Sequence, residues 1–115
     1  IGLHIYDDGI AFSQDVLDLV KMTANHGLKE SFFLLGLLHE HGTETDRDYQ
    51  KAIEYYTKAA NQGHGGALYY LGRMYENGKG VPQDYQKAIE LYTKAAAKGN
   101  EEAKERLKIL LSKKN

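Results

Sequence analysis

The chain has no cysteine among its 115 residues. That excludes disulfide frameworks, thiolate zinc sites and cysteine nucleophiles, and it says nothing about compartment. There is no excess of charge of either sign. Fifteen Lys and Arg stand against sixteen Asp and Glu, for a formal net charge of -1. A nucleic-acid binder normally carries a strong basic surplus, so no nucleic-acid partner is expected. No apolar run approaches the ~20 residues that a membrane-spanning helix needs, so no membrane insertion is expected either. No basic-then-apolar leader opens the chain. What is present is the composition of a folded domain, 42% hydrophobic and 27% charged, at a length that suits a single domain.

Charge is unevenly placed. From Thr93 to Asn115 there are seven basic and three acidic residues, whereas the first twenty residues hold four Asp and no Lys or Arg. The basic end reads as a solvated terminal helix whose last-turn lysines suit the helix dipole.

An internal repeat organises the rest. Residues 31–66 lie on residues 67–102 without a gap, at an offset of 36, with seventeen identities. The run Asp48-Tyr49-Gln50-Lys51-Ala52-Ile53-Glu54 returns as Asp84 to Glu90, and Tyr56-Thr57-Lys58-Ala59-Ala60 returns as Tyr92 to Ala96. Leu35, Gly36, Glu40, Gly42 and Gly63 return as Leu71, Gly72, Glu76, Gly78 and Gly99. Stepping back by the same offset places Gly27 under Gly63, Leu17 under Ile53 and Ala24 under Ala60. Ile5-Tyr6-Asp7-Asp8-Gly9 matches Met74 to Gly78 after a short deletion in the connecting loop. Stepping forward places Ala103, Leu107, Leu110 and Leu111 on Ala67, Leu71, Met74 and Tyr75. The chain therefore divides into a degenerate repeat over 1–30, full repeats over 31–66 and 67–102, and a half-repeat helix over 103–115. It opens on Ile1 rather than Met, mid-helix on this alignment, so the open end is expected to belong to a longer array.

Each copy predicts two helices. Ala67, Leu71, Met74 and Tyr75 fall on one helical face, and so do Tyr85, Ala88, Ile89, Tyr92, Ala95 and Ala96. Gly78 stops the first helix; Gly27, Gly63 and Gly99 stop the second helices, and Asn100 caps the terminal one. Pro82 suits the first turn of a second helix, with Asp84 following in that turn. In the preceding copy Thr45-Asp46-Arg47-Asp48 forms a capping-box-like start, so the two copies are expected to begin that helix by different chemistry. Gly36 and Gly72 sit mid-helix, where glycine costs about 1 kcal/mol relative to alanine, so they predict close approach of a neighbouring helix. The paired tyrosines Tyr49/Tyr85, Tyr56/Tyr92 and Tyr6/Tyr75 read as structural, with hydroxyls at the rim.

The stretch Leu71 to Gly99 closely resembles the Sel-1-like repeat, a relative of the tetratricopeptide repeat with a glycine-rich loop between its helices. Residues 35–63 resemble it well, with His39 in place of the tyrosine at Tyr75 and Glu44-Thr45-Asp46 in place of Gly80-Val81-Pro82. The first copy resembles it weakly. The resemblance implies an all-α fold: a right-handed α-α superhelix, or solenoid, of about three helical hairpins plus a C-terminal capping helix. It also implies a non-catalytic scaffold or adaptor for other proteins, with first helices lining a concave wall and second helices outside. The positions between the buried ones on the first helices are then the candidate partner-binding set: Leu34, Leu37 and His41, then Tyr70, Arg73 and Asn77, then Arg106, with Ile109 beside it. Apolar, aromatic and hydrogen-bonding groups together suit a peptide or a partner helix. Two rivals remain open: a specific inhibitor, such as a toxin-immunity protein, and a structural spacer in a larger multidomain protein.

Signals for catalysis are poor. His39, Glu40 and His41 invite a metal reading, but an i, i+2 pair points to opposite sides of a helix where a zinc pair wants i, i+4. His4, His26 and His64 lie at helix ends or loops without companions. Glu54 and Glu90 read as solvated. Neither Ser13, Ser31 nor Ser112 sits in a nucleophile-elbow setting, and the glycines of Gly63-His64-Gly65-Gly66 lack the Lys-Ser/Thr ending of a phosphate loop. No catalytic residue, metal or cofactor is expected.

Overall fold

The computed structural model describes residues 4–6, 9–11, 18, 20–22, 27–42 and 47–114. Five helices run through its main body: α1 (Lys29–His41), α2 (Tyr49–Asn61), α3 (Gly65–Asn77), α4 (Tyr85–Ala97) and α5 (Glu101–Lys114). Each packs on the next, α1 on α2, α2 on α3, α3 on α4 and α4 on α5. The body is accordingly elongated, 53 × 30 × 23 Å. The pairs α1–α2 and α3–α4 are the two full repeats, and α5 is the first helix of a further one. This is the expected helical solenoid.

The helix starts differ from the sequence expectation. Asp48 and Asp84 are themselves the N-caps of α2 and α4, and each carboxylate accepts the N–H three residues on, from Lys51 at 3.1 Å and Lys87 at 3.0 Å. One chemistry therefore serves both copies. Pro82 stands outside the helix, and Thr45 lies outside the described residues. The two interhelix loops close alike as well, with Asp48 N–H donating to the His39 carbonyl at 2.8 Å and Asp84 N–H to that of Tyr75 at 2.9 Å. At the other ends the punctuation is as expected. Gly42 and Gly78 stop α1 and α3 in the left-handed region, and Gly27, Gly63 and Gly99 also have positive φ.

His64 is more than a loop residue. It is the N-cap of α3, its Nδ1 accepting the Ala67 N–H at 3.0 Å. Asn100, one period later, accepts the Ala103 N–H at 2.8 Å in the same role.

Near the N-terminus, β1 (His4–Tyr6) and β2 (Gly9–Ala11) form an antiparallel ribbon that pairs Ile5 with Ile10. The sequence alignment put the first helix of the degenerate copy there, and residues 4–6 and 9–11 are strands instead. The β-branched Ile5 and Ile10 favour a pleated pairing. Residues 18 and 20–22 are helical, and Val20 packs with Leu35 and Leu38 in a small cluster of its own. Ile1, Asp7, Asp8, Leu17 and Ala24 lie outside the described residues.

The main core is continuous across the repeats, running from Ala52 and Tyr56 through Leu68, Leu71 and Met74 to Leu91, Tyr92, Ala103 and Leu110. Loop packing explains one departure among the tyrosines. Gly80, at φ +78°, presses on Tyr49 and Ile53 of the preceding repeat, where a Cβ would come within 2.7 Å of the Tyr49 side chain. Gln50 Nε2 donates to the Gly80 carbonyl at 2.5 Å. Tyr85, the counterpart of Tyr49, is 52% exposed.

Candidate functional site

The site is built on a contact that both full repeats share. Gly36 of α1 leaves room for the Tyr56 ring of α2; a Cβ at Gly36 would lie 2.4 Å from that ring. Gly72 does the same for Tyr92, at 2.7 Å. Four residues further along each first helix stands a glutamate on the same face. The Tyr56 hydroxyl donates to Glu40 Oε1 and that of Tyr92 to Glu76 Oε1, both at 2.6 Å and buried. Burial, then the carboxylate hydrogen bond, pushes both tyrosine hydroxyls far above their ordinary pKa, so they stay protonated donors. The tyrosine hydroxyls thus face inward rather than to the rim. The glycine, the ring and the carboxylate lock the two helices of a repeat together.

Above this lock, the spaces between successive first helices differ. Between α1 and α3, Phe33 lies against Tyr56, Tyr70 and His64, with ring centroids 5.9, 5.4 and 4.6 Å away. Aromatic rings occupy that space. Between α3 and α5, Tyr69 again lies over the locking tyrosine, 5.7 Å from Tyr92, but the counterpart of Tyr70 is Arg106. Arg106 donates to both carboxylate oxygens of Glu76. Burial works against the Glu76 charge, but the hydrogen bonds from Tyr92 and Arg106 outweigh it and hold the carboxyl below its ordinary pKa. A cavity of about 460 Å³ remains, lined by Tyr69, Arg73, Glu76, Asn77 and Arg106. The Arg73 guanidinium lies 6.0 and 5.6 Å from the ring centres of Tyr69 and Tyr70, and it has no ion pair among the described residues.

Residues 32–64 and 66–100 each match the model of the Sel1 repeat. The chain belongs to the Sel1 repeat family. Its fold is similar to that of a Sel1 repeat protein from Oxalobacter formigenes, at 32% identity and a TM-score of 0.83 over 88% of this chain and 41% of that one. It is similar to a protective antigen of uropathogenic Escherichia coli that displays the SLR fold, at 38% identity and a TM-score of 0.83 over 86% of this chain and 21% of that one. It also resembles cysteine rich protein B of Helicobacter pylori, at 27% identity and a TM-score of 0.74 over 78% of this chain and 68% of that one. The chain thus spans under half the length of the first two. No curated protein matches it significantly. Sel1 repeats are commonly protein-interaction scaffolds and typically non-catalytic, and they generally bind other proteins. No helix among the described residues is long and apolar enough to cross a membrane.

Set on the Sel1 framework, the seven sequence-predicted residues separate. Arg73, Asn77 and Arg106 come together around the cavity. Tyr70 borders them but is half-buried between Phe33 and Tyr56. Leu37 is half-buried against the main core, while Leu34 and His41 are exposed. Glu76 and Tyr69 were missed. Glu76 carried a signal: a charged residue kept at the same place in both copies, one turn from a glycine on a core-facing stripe. His39 is buried, stacked on Tyr55 with centroids 5.6 Å apart. Glu54 and Glu90 are exposed.

Proposed function

We propose that this Sel1 segment is a non-catalytic interaction module that holds a peptide or helix of another protein on the wall formed by its first helices. The observation that carries this reading is the cavity between α3 and α5, where Arg73, Asn77 and Arg106 gather beside aromatic surface. A half-buried guanidinium flanked by tyrosines is the composition at which partner contacts concentrate. The surface is also built on helices locked by the buried tyrosines, so little ordering cost falls on binding.

The test is capture of partners from the source cells, followed by crosslinking to map the contacts. Arg73→Glu, on a first helix, is compared with Lys87→Glu on α4. Tyr70 is spared because its ring holds the neighbouring junction. Loss of capture with Arg73→Glu alone supports the module; equal capture by both variants counts against the inner wall.

A further inference from the structure

We propose that the cavity between α3 and α5 takes an aspartate or glutamate side chain of the bound peptide, paired with Arg73. This deepens the reading of the first-helix wall as a peptide site and rests on it. The charge inventory comes first. Two guanidinium groups and one carboxylate line the cavity. The carboxylate is already engaged, with Glu76 holding the Tyr92 hydroxyl and two Arg106 nitrogens. One positive charge is left over. Arg73 carries it, with tyrosine rings for neighbours and no carboxylate partner among the described residues. A guanidinium lying against rings keeps its in-plane N–H fork for a carboxylate, and partial burial strengthens such a pair over one in open water.

The internal repeat supplies a control within the molecule. The five lining positions, moved back by 36 residues, are Phe33, Leu37, Glu40, His41 and Tyr70. Only the glutamate is kept. Where α1 faces α3, these positions supply packed rings and a leucine. Where α3 faces α5, the equivalent positions present two arginines, an amide and a phenol around open space. A cavity left merely by poor packing would not carry two arginines in place of a leucine and a tyrosine. Asn77 adds an exposed amide able to hold the peptide backbone beside the anchored acid.

The experiment selects peptides from a random displayed library on the full chain, then measures the recovered sequences by fluorescence anisotropy. The expected result is a consensus with one fixed Asp or Glu. Replacing that residue by Gln or Asn weakens binding about tenfold or more, the scale of a lost charged hydrogen bond. Arg73→Leu, which installs the residue of the other junction, abolishes the acidic preference, whereas Arg73→Lys keeps part of it and Lys87→Glu leaves it intact. Amidating the peptide C-terminus changes nothing. Peptides that bind with no acidic preference, or equally well to Arg73→Leu, overturn the assignment and leave the peptide-binding reading standing. Loss of binding on amidation overturns the side-chain assignment in favour of a terminal carboxylate. Recovery of no binding peptide at all overturns both.

Discussion

Between α1 and α3 the space above the locking tyrosine is taken by the rings of Phe33 and Tyr70; between α3 and α5 it is an open cavity flanked by Arg73 and Arg106. The glycine, tyrosine and glutamate beneath are the same in both. The difference rests on four side chains at equivalent positions. A repeat of this kind separates two tasks: one layer of residues fixes the hairpin, and another, free of that duty, sets the character of each junction. In the first junction that layer is used for cohesion between repeats. In the second it is left polar and open.

The largest expected effect tests the cohesive role. Tyr70→Ala should lower unfolding free energy by about 3 kcal/mol, the lower part of the range for aromatic truncation because the ring is only half-buried. Arg73→Ala should change it by less than about 1 kcal/mol. Equal shifts in a denaturant titration would erase the contrast between the junctions.

Next come the glycine seats, which should behave alike in both repeats. Gly36→Ala and Gly72→Ala each force a methyl group into a buried ring, at about 1–3 kcal/mol for overpacking, set against about 1 kcal/mol gained in helix propensity. Net destabilisation is expected, greater at Gly36 where the approach is closer. A higher melting temperature in either variant would contradict the lock.

The hydroxyls should then separate the repeats again. Tyr56→Phe removes the one side chain donating to buried Glu40 among the contacts described, and about 1–3 kcal/mol should be lost. Tyr92→Phe should cost less, because Arg106 still holds Glu76. The ratio of the two losses, from paired unfolding curves, measures what Arg106 adds.

The smallest effect is in pH. His64 and Asn100 cap equivalent helices, but only the histidine titrates. Burial lowers the His64 pKa, and its capping Nδ1 must be unprotonated to accept the Ala67 N–H. The unfolded chain therefore takes up a proton first, at about pH 6.5. The contribution of this cap is complete above that value and shrinks as pH falls below it, by at most about 1 kcal/mol. His64→Asn, copying the other cap, should flatten that part of the stability profile. An unchanged slope would assign it elsewhere, with His39 next in line since burial lowers its pKa too.

Much of this is legible in the sequence. The offset of 36, the glycine stops and the two-helix copies follow from residue identity, because backbone conformation at αL stops and amphipathic faces are local matters. Two other expectations differ from the structure. The capping-box pattern at Thr45 and the proline at Pro82 suggested different helix starts, yet the aspartates at 48 and 84, identical in both copies, carry the cap. The candidate binding set rests on the family resemblance and on spacing along the first helices, and spacing cannot tell Tyr70, wedged between rings, from Arg73, which borders a cavity. The lock also marks where the pattern fades. Val20 stands at the Tyr56 position of the first copy, and Lys108 and Ser112 stand at the Gly72 and Glu76 positions of the last, so neither copy can form the lock at those places. The two stretches that match the family are the two that keep it.

The order of residues by itself determined the period, the helices and their stops, since each depends on neighbours a few places away. Only the tertiary structure decided that Glu76 is buried and spoken for, that Arg73 is left without an acidic partner among the described residues, and that one junction is filled while its twin is open. Those outcomes depend on distances between helices thirty residues apart, where a single side chain either fills the space or leaves it.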